Sequence, residues 1–290
     1  MVQTIGVLGA NGVYARHLIP RLLNAGNKVR ALARRPEAAS LARACGAEIV
    51  QADIFDESSM AKALQGCAIG INLATALPGP SGRGNFEAND ELRRHGTANW
   101  LAACKQAGVT RIIQQSIAMV NASASAQWSD EDHIYQSTAD TVASRAIAAS
   151  LAMETSVSES TLDWLILRGG LFYGPGTGFD DAWYSMAAAG KLKLPGDGTD
   201  YVSLVHIADM ASATLAALSR WPHRSKLIVC DNQPVQWRDI FAFIAEASGH
   251  GAPKTGGQLG FPSFRLHNTK AREMLAWTPF YATYREGLAR

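Results

Sequence analysis

The sequence predicts an α/β protein: a doubly wound parallel sheet followed by a small C-terminal lobe. Three observations predict it. Short β-rich runs alternate with helical stretches through the first half, the pattern of a parallel sheet covered on both faces. Helical stretches end at glycines, Gly26, Gly66 and Gly108, where the chain turns into the next strand. Beyond Gly169 the rhythm breaks into turn-rich segments, Gly174–Gly178 and Pro195–Asp200, as a less regular second lobe requires. At 290 residues the chain can bury a core large enough to need neither disulfide nor metal.

In order, Thr4–Leu8 reads as a strand, Val13–Ala25 as a helix and Lys28–Ala33 as the second strand. Glu37–Ala44 is a helix, Glu48–Gln51 a strand, Ser58–Gln65 a helix and Ala68–Leu73 a strand. A long helix over Asn89–Ala107 delivers the strand Arg111–Gln115. The Ser/Ala-rich stretch from Asn121 to Asp140 reads as an active-site loop, followed by a helix over Thr141–Val157 and the strand Leu162–Arg168. Trp183–Ala189 is a helix; Tyr201–Val205 and Lys226–Val229 are short strands flanking a helix from Ala208 to Ser219. The expected domains are residues 1–170, completed by about 201–230, and a small lobe from 171–200 and 231–290.

Composition narrows the partners. A net charge of +2 gives no field for nucleic acid or an anionic membrane, and no apolar run approaches the roughly 18 residues of a membrane span. The chain opens on a strand-like run without a basic leader or cleavage site, so a cytoplasmic protein is expected. Cys45, Cys67, Cys104 and Cys230 lie far apart without metal-ligand spacing, and read as reduced, small hydrophobes rather than a metal site.

The first chemical motif is Gly6-Val-Leu-Gly9-Ala-Asn-Gly12-Val-Tyr-Ala15, between the first strand and first helix. Gly9 permits the tight turn, Gly12 lets backbone approach a pyrophosphate, and small Ala15 lets helix and strand pack closely. The N–H groups at the helix start, around Asn11, Gly12, Val13 and Tyr14, then receive phosphates. This is a Rossmann dinucleotide site. The second strand ends in Ala33-Arg34-Arg35, where an NAD binder offers a carboxylate to the ribose; two guanidiniums there instead suit a 2′-phosphate. NADP is therefore expected, with NAD as the alternative. Asp53 stands where it accepts from an adenine amino group or caps the next turn.

These residues resemble the extended short-chain dehydrogenase/reductase family, which holds many NAD-dependent epimerases, dehydratases and reductases. Gly9, Gly12 and Ala15 match its glycine pattern, Asp53-Ile54 its adenine pair, Asn72-Leu73-Ala74 its small-residue stretch, and Gln115-Ser116 its strand-ending Ser. Leu167-Arg168 through Tyr173-Gly-Pro-Gly176 is similar to its L-R-P…Y-G-P-G run, and Val205-His206-Ile-Ala-Asp209 to its V-H-V-x-D element. Leu275-Ala-Trp277-Thr-Pro279 and Tyr284-Arg-Glu-Gly287 resemble its C-terminal signature. The resemblance implies cofactor contacts from Leu73 and Ala74 and a small-molecule substrate lined by Thr75, Gly170, Phe172 and Tyr173. It also implies a homodimer through the helices over residues 89–107 and 141–157.

One element of that family is missing. Its chemistry uses Tyr-x-x-x-Lys, spaced so that both side chains share a helix face. None of the seven tyrosines here has Lys four residues on, and no lysine falls between Lys105 and Lys191. One register puts Thr141 in the Tyr place, another puts Ala146 there with Ser150 for Lys; neither offers a phenol. Replacement hydroxyls are Ser116 and, after the acidic run Ser129–Asp132, Tyr135 beside His133. His206 and Asp209 read as structural. Phe172, Phe179, Trp183 and Tyr184 form either an apolar substrate wall or core. The expected function is an atypical NADP(H)-dependent oxidoreductase acting on a small hydrophobic or aromatic substrate. The alternative is a non-catalytic NADP-binding sensor, and a nucleotide-sugar epimerase or dehydratase comes third.

Overall fold

Thr4–Leu8 (β1) is buried from Ile5 onward, as a strand covered on both faces must be. In this computed structural model, which describes residues 2–78, 84–137, 139–258 and 260–289, β1 lies inside a seven-stranded sheet. It pairs in parallel with Lys28–Ala33 (β2) on one side and Ile69–Asn72 (β4) on the other. Glu48–Gln51 (β3) pairs in parallel with β2, and Arg111–Ile117 (β5) with β4. Asp163–Gly169 and then Ser225–Val229 complete the sheet beyond β5. Because β1 to β5 are parallel, their carboxyl ends fall on one edge, where open α/β sheets bind ligands.

The helices are Val13–Asn24 (α1), Ser40–Ala44 (α2), Glu57–Leu64 (α3), Phe86–Glu91 (α4), Thr97–Gln106 (α5) and Val142–Glu159 (α6). Three expected helices differ. The stretch 37–44 begins as a 3-10 turn over Pro36–Ala39, with Pro36 at its start, before becoming α2. The long helix over 89–107 starts earlier, at Phe86, because the Asn85 side chain accepts from Ala88 N at 2.6 Å. It also breaks into a π turn over Leu92–Gly96, where Gly96 packs so closely on Ile54 that a Cβ would stand 3.0 Å from that side chain. The expected helix at 183–189 runs over Phe179–Ala188, entered from Gly178 at φ +83°.

The chain forms two compact units. The first comprises residues 1–116, 145–167 and 214–226, the second 117–144, 168–213 and 227–290. The first unit's core includes Met60, Leu64, Trp100 and Ile112, the second's Trp183, Trp237, Phe241 and Phe264. The segment 117–144 joins the second unit through Arg168, whose buried guanidinium donates to Asn121 Oδ1 and to the Glu131 carbonyl, each at 3.1 Å. The Glu131 carboxylate in turn accepts from Ile228 N at 2.8 Å. Cys67, Cys104 and Cys230 are buried free thiols, and Cys45 is half-buried. Among the described residues no helix is long and apolar enough to cross a membrane.

Candidate functional site

At the carboxyl end of β1 the chain turns at Gly9, whose φ of +81° is open to glycine and costly to any residue with a Cβ. A Cβ there would also stand 2.8 Å from Ala74 N and from the Leu73 carbonyl carbon, so Gly9 and the Leu73–Ala74 segment lie against each other. That segment is fixed from behind. Ala74 N donates to Asn72 Oδ1 at 3.1 Å, and Asn72, itself buried, donates to Gln114 Oε1 at 3.0 Å. The sequence signal for this pair was a polar residue closing the apolar run Ile69–Asn72. Gly12 N donates to Gly9 O at 2.9 Å, closing the turn, and Gly12 leads into α1.

The start of α1 carries no side-chain cap and no acidic residue in its first turn. The positive end of its dipole and its leading N–H groups therefore face the turn uncompensated by side chains, as a phosphate site requires. Asn11 is exposed and Val13 half-buried beside it. The Tyr14 ring is buried and its hydroxyl bonds Thr214, with burial holding the phenol above its ordinary range.

Arg34 and Arg35 follow β2, both exposed, and neither forms an ion pair among the described residues. Asp53 follows β3, and its Oδ1 accepts from Phe55 N at 3.0 Å, so one oxygen fills the turn-capping role. Ile54 is buried beside Gly96, with its carbonyl accepting from Asn99 Nδ2 at 3.2 Å. Thr75 is exposed just past Ala74. The glycine turn and the uncapped helix at the carboxyl end of β1 fit a dinucleotide.

Ser116 is the penultimate residue of β5 and is buried, and its hydroxyl donates to Glu154 Oε1 of α6 at 2.7 Å. Lys226 Nζ lies 3.6 Å from the other oxygen of Glu154. Thr141 precedes α6 and caps it, accepting from Ser144 N at 3.1 Å. Ala146 and Ser150 lie inside α6, where Ser150 is fully buried and donates to Ala146 O at 2.7 Å. Sequence reasoning missed Arg93, a buried side chain on the π turn. It donates to the same Ala146 carbonyl at 3.2 Å, with Asp90 Oδ1 3.9 Å away. Burial pushes its guanidinium down to about 10, against the pull of Asp90.

The remaining expected residues belong to the second unit. Tyr135 is half-buried against its core. Gly170 donates to Val229 O at 2.9 Å and lies so close to Ser203 O that a Cβ would stand 2.7 Å from it. Phe172 is partly buried. Tyr173, expected to line substrate, is instead wholly enclosed, its ring edge-on to His206 at 5.2 Å and its hydroxyl against Gly287. Asp209 is structural, accepting from Phe280 N and Tyr281 N at 2.9 Å each. Trp183 and Tyr184 are both buried, with Tyr184 donating to Leu288 O at 2.7 Å.

Residues 9–218 match a family described as NAD(P)H-binding. A 3-diazoavenalumate denitrifying reductase from a Streptomyces species is 30% identical over 98% of this chain and 98% of its own length. The UDP-glucose 4-epimerase of Thermotoga maritima, solved with UDP-glucose, superposes with a TM-score of 0.82 at 19% identity, covering 98% of this chain and 96% of that one. The corresponding epimerase of Thermus thermophilus, solved with NAD, gives 0.78 at 22% identity over 98% and 96%. At these identities the two epimerases speak for the fold alone.

Proposed function

We infer the function from one premise: the chain belongs to the NAD(P)H-binding family, within the extended short-chain dehydrogenases/reductases, epimerases and dehydratases. We propose that it is an NADP(H)-dependent reductase whose substrate takes up hydride without a proton from the protein, and that this substrate is an aryl diazo compound. The observation that carries the reading is the absence of any Tyr-x-x-x-Lys from the sequence.

Bound NADPH supplies a hydride. Reduction of a carbonyl leaves negative charge on oxygen and so calls for a positioned acid. A cationic aryl diazonium does not: the hydride cancels its charge and dinitrogen leaves neutral. One diazonium and one NADPH give one arene, one N2 and one NADP+, with no proton consumed. The Streptomyces relative, by name a denitrifying reductase of a diazo compound, supports this class.

In this reading Gly9 and Gly12 admit the pyrophosphate, Arg34 and Arg35 hold the 2′-phosphate, and the second oxygen of Asp53 receives the adenine amino group. Ser116, its proton held by Glu154, positions α6 against β5, and Tyr135 supports the loop that carries it. The test is NADPH absorbance in stopped flow with aryl diazonium salts and with ketones and aldehydes. Consumption above the enzyme-free background is expected for the diazo compounds alone. Tight NADPH binding without consumption of any of them would favour the second reading, an NADP-responsive binding module, which the missing pair also fits.

A further inference from the structure

The second unit contains a cavity of about 310 Å³, small for a ligand pocket and of a size for one aromatic ring with a short chain. Its wall is aromatic. Trp183 meets Trp237 edge-on at 5.9 Å and Phe241 at 5.6 Å, and Phe261 lies nearly parallel to Trp237 at 6.3 Å. Such rings present both faces and edges to a flat guest. The mouth is cationic. Lys191 and Lys193, both exposed, line the cavity, and neither forms an ion pair among the described residues. They are held there by backbone: Lys191 N closes the turn after the 179–188 helix on Met186 O at 2.8 Å. Lys193–Pro195 pairs with Lys254–Gly257, where a Cβ on Gly257 would stand 2.9 Å from Leu194 O.

We propose that this cavity binds a planar aromatic carboxylate, the ring against Trp183, Trp237, Phe241 and Phe261 and the carboxylate at Lys191 and Lys193. The charge complementarity selects the acid over a neutral ring, and the rigid aromatic wall selects a ring over an aliphatic chain. Calling this ligand the substrate rests on the reductase reading; its binding does not.

The test is calorimetric titration without NADPH, using trans-cinnamate as probe, trans-cinnamamide as the neutral ring and sorbate as the ringless acid. Cinnamate is expected to bind about tenfold tighter than either control. The double variant K191Q/K193Q, changed only at exposed positions, is expected to lose about tenfold in cinnamate affinity while binding the amide as before and keeping its NADPH affinity. No heat with cinnamate, equal binding of acid and amide, or an unaffected double variant would overturn the proposal. So would a dimer that Met186→Glu dissociates and that takes up no cinnamate, since a second copy of the chain would then be the occupant. Cinnamate binding together with inert diazo compounds would sink the reductase reading and leave this site standing.

Discussion

The Ser116 hydroxyl donates to Glu154 Oε1 at 2.7 Å across the packing of β5 on α6, with Lys226 3.6 Å from the opposite oxygen. The bond makes Ser116 a tether between β5 and α6. Ser116→Ala is expected to cost about 1.5–3 kcal/mol in chemical denaturation, the worth of a buried hydrogen bond to a charged group, yet change NADPH consumption by less than about threefold. Glu154→Ala should cost about 3–5 kcal/mol, because it strips a buried serine and a lysine of their acceptor together. A loss of activity in Ser116→Ala out of proportion to its stability would return that hydroxyl to the chemistry.

The glycine turn should fail in a graded way. Gly9→Ala meets both a φ of +81° and the Leu73–Ala74 backbone at 2.8 Å, so it is expected to cost about 2–5 kcal/mol and to abolish NADPH binding. Gly26→Ala shares the positive φ, +82°, but meets nothing within 4 Å. It should cost only about 1–2 kcal/mol and leave binding unchanged. Thermal melts with and without NADPH separate the two.

In the proposed reading the choice of cofactor falls to the paired guanidiniums. Replacing Arg34 and Arg35 by Ala should raise the Kd for NADPH about 100-fold and that for NADH less than about twofold, since only the 2′-phosphate is lost as a partner. Fluorescence titration of the reduced nucleotides reads this directly. An equal loss for both would place the arginines on the shared pyrophosphate.

Asp231 gives a pH signature. Burial holds its carboxyl well above the ordinary aspartate range, with Asp209 and Glu286 pushing the same way and the Gln233 N–H, at 3.1 Å, pulling it down. The folded state thus binds a proton more tightly than the unfolded chain, and stability falls as pH rises from about 4, the unfolded value, through the raised value. Asp231→Asn keeps the acceptor for Gln233 and cannot ionise. It should be the more stable protein at neutral pH, with the advantage gone below about pH 4. Equal pH slopes for variant and parent would contradict the assignment.

The turn after β1 and the neighbouring strand ends were legible because they are local. Gly9, Gly12, Arg34 and Arg35 sit at strand ends whose positions follow from hydrophobic runs and glycine punctuation. What stayed hidden depends on partners far away in the chain. Ser116 finds Glu154 38 residues on, and Tyr14 finds Thr214 200 residues on. Tyr173 looked like a lining residue until His206 and Gly287 closed around it. The aromatic cavity draws Phe179 and Trp183 from the expected set; Trp237, Phe241 and Phe261 come from segments whose packing no local pattern specifies.

The central claim, hydride transfer that needs no proton from the protein, is tested most directly by nitrogen mass balance. An aryl diazonium with both diazo nitrogens isotopically labelled is turned over with NADPH and compared with an enzyme-free control. The predicted result is one labelled N2 and one arene for each NADPH consumed, well above the control. Label retained in an arylhydrazine, whose formation consumes protons, or N2 release no faster than the control, would contradict it.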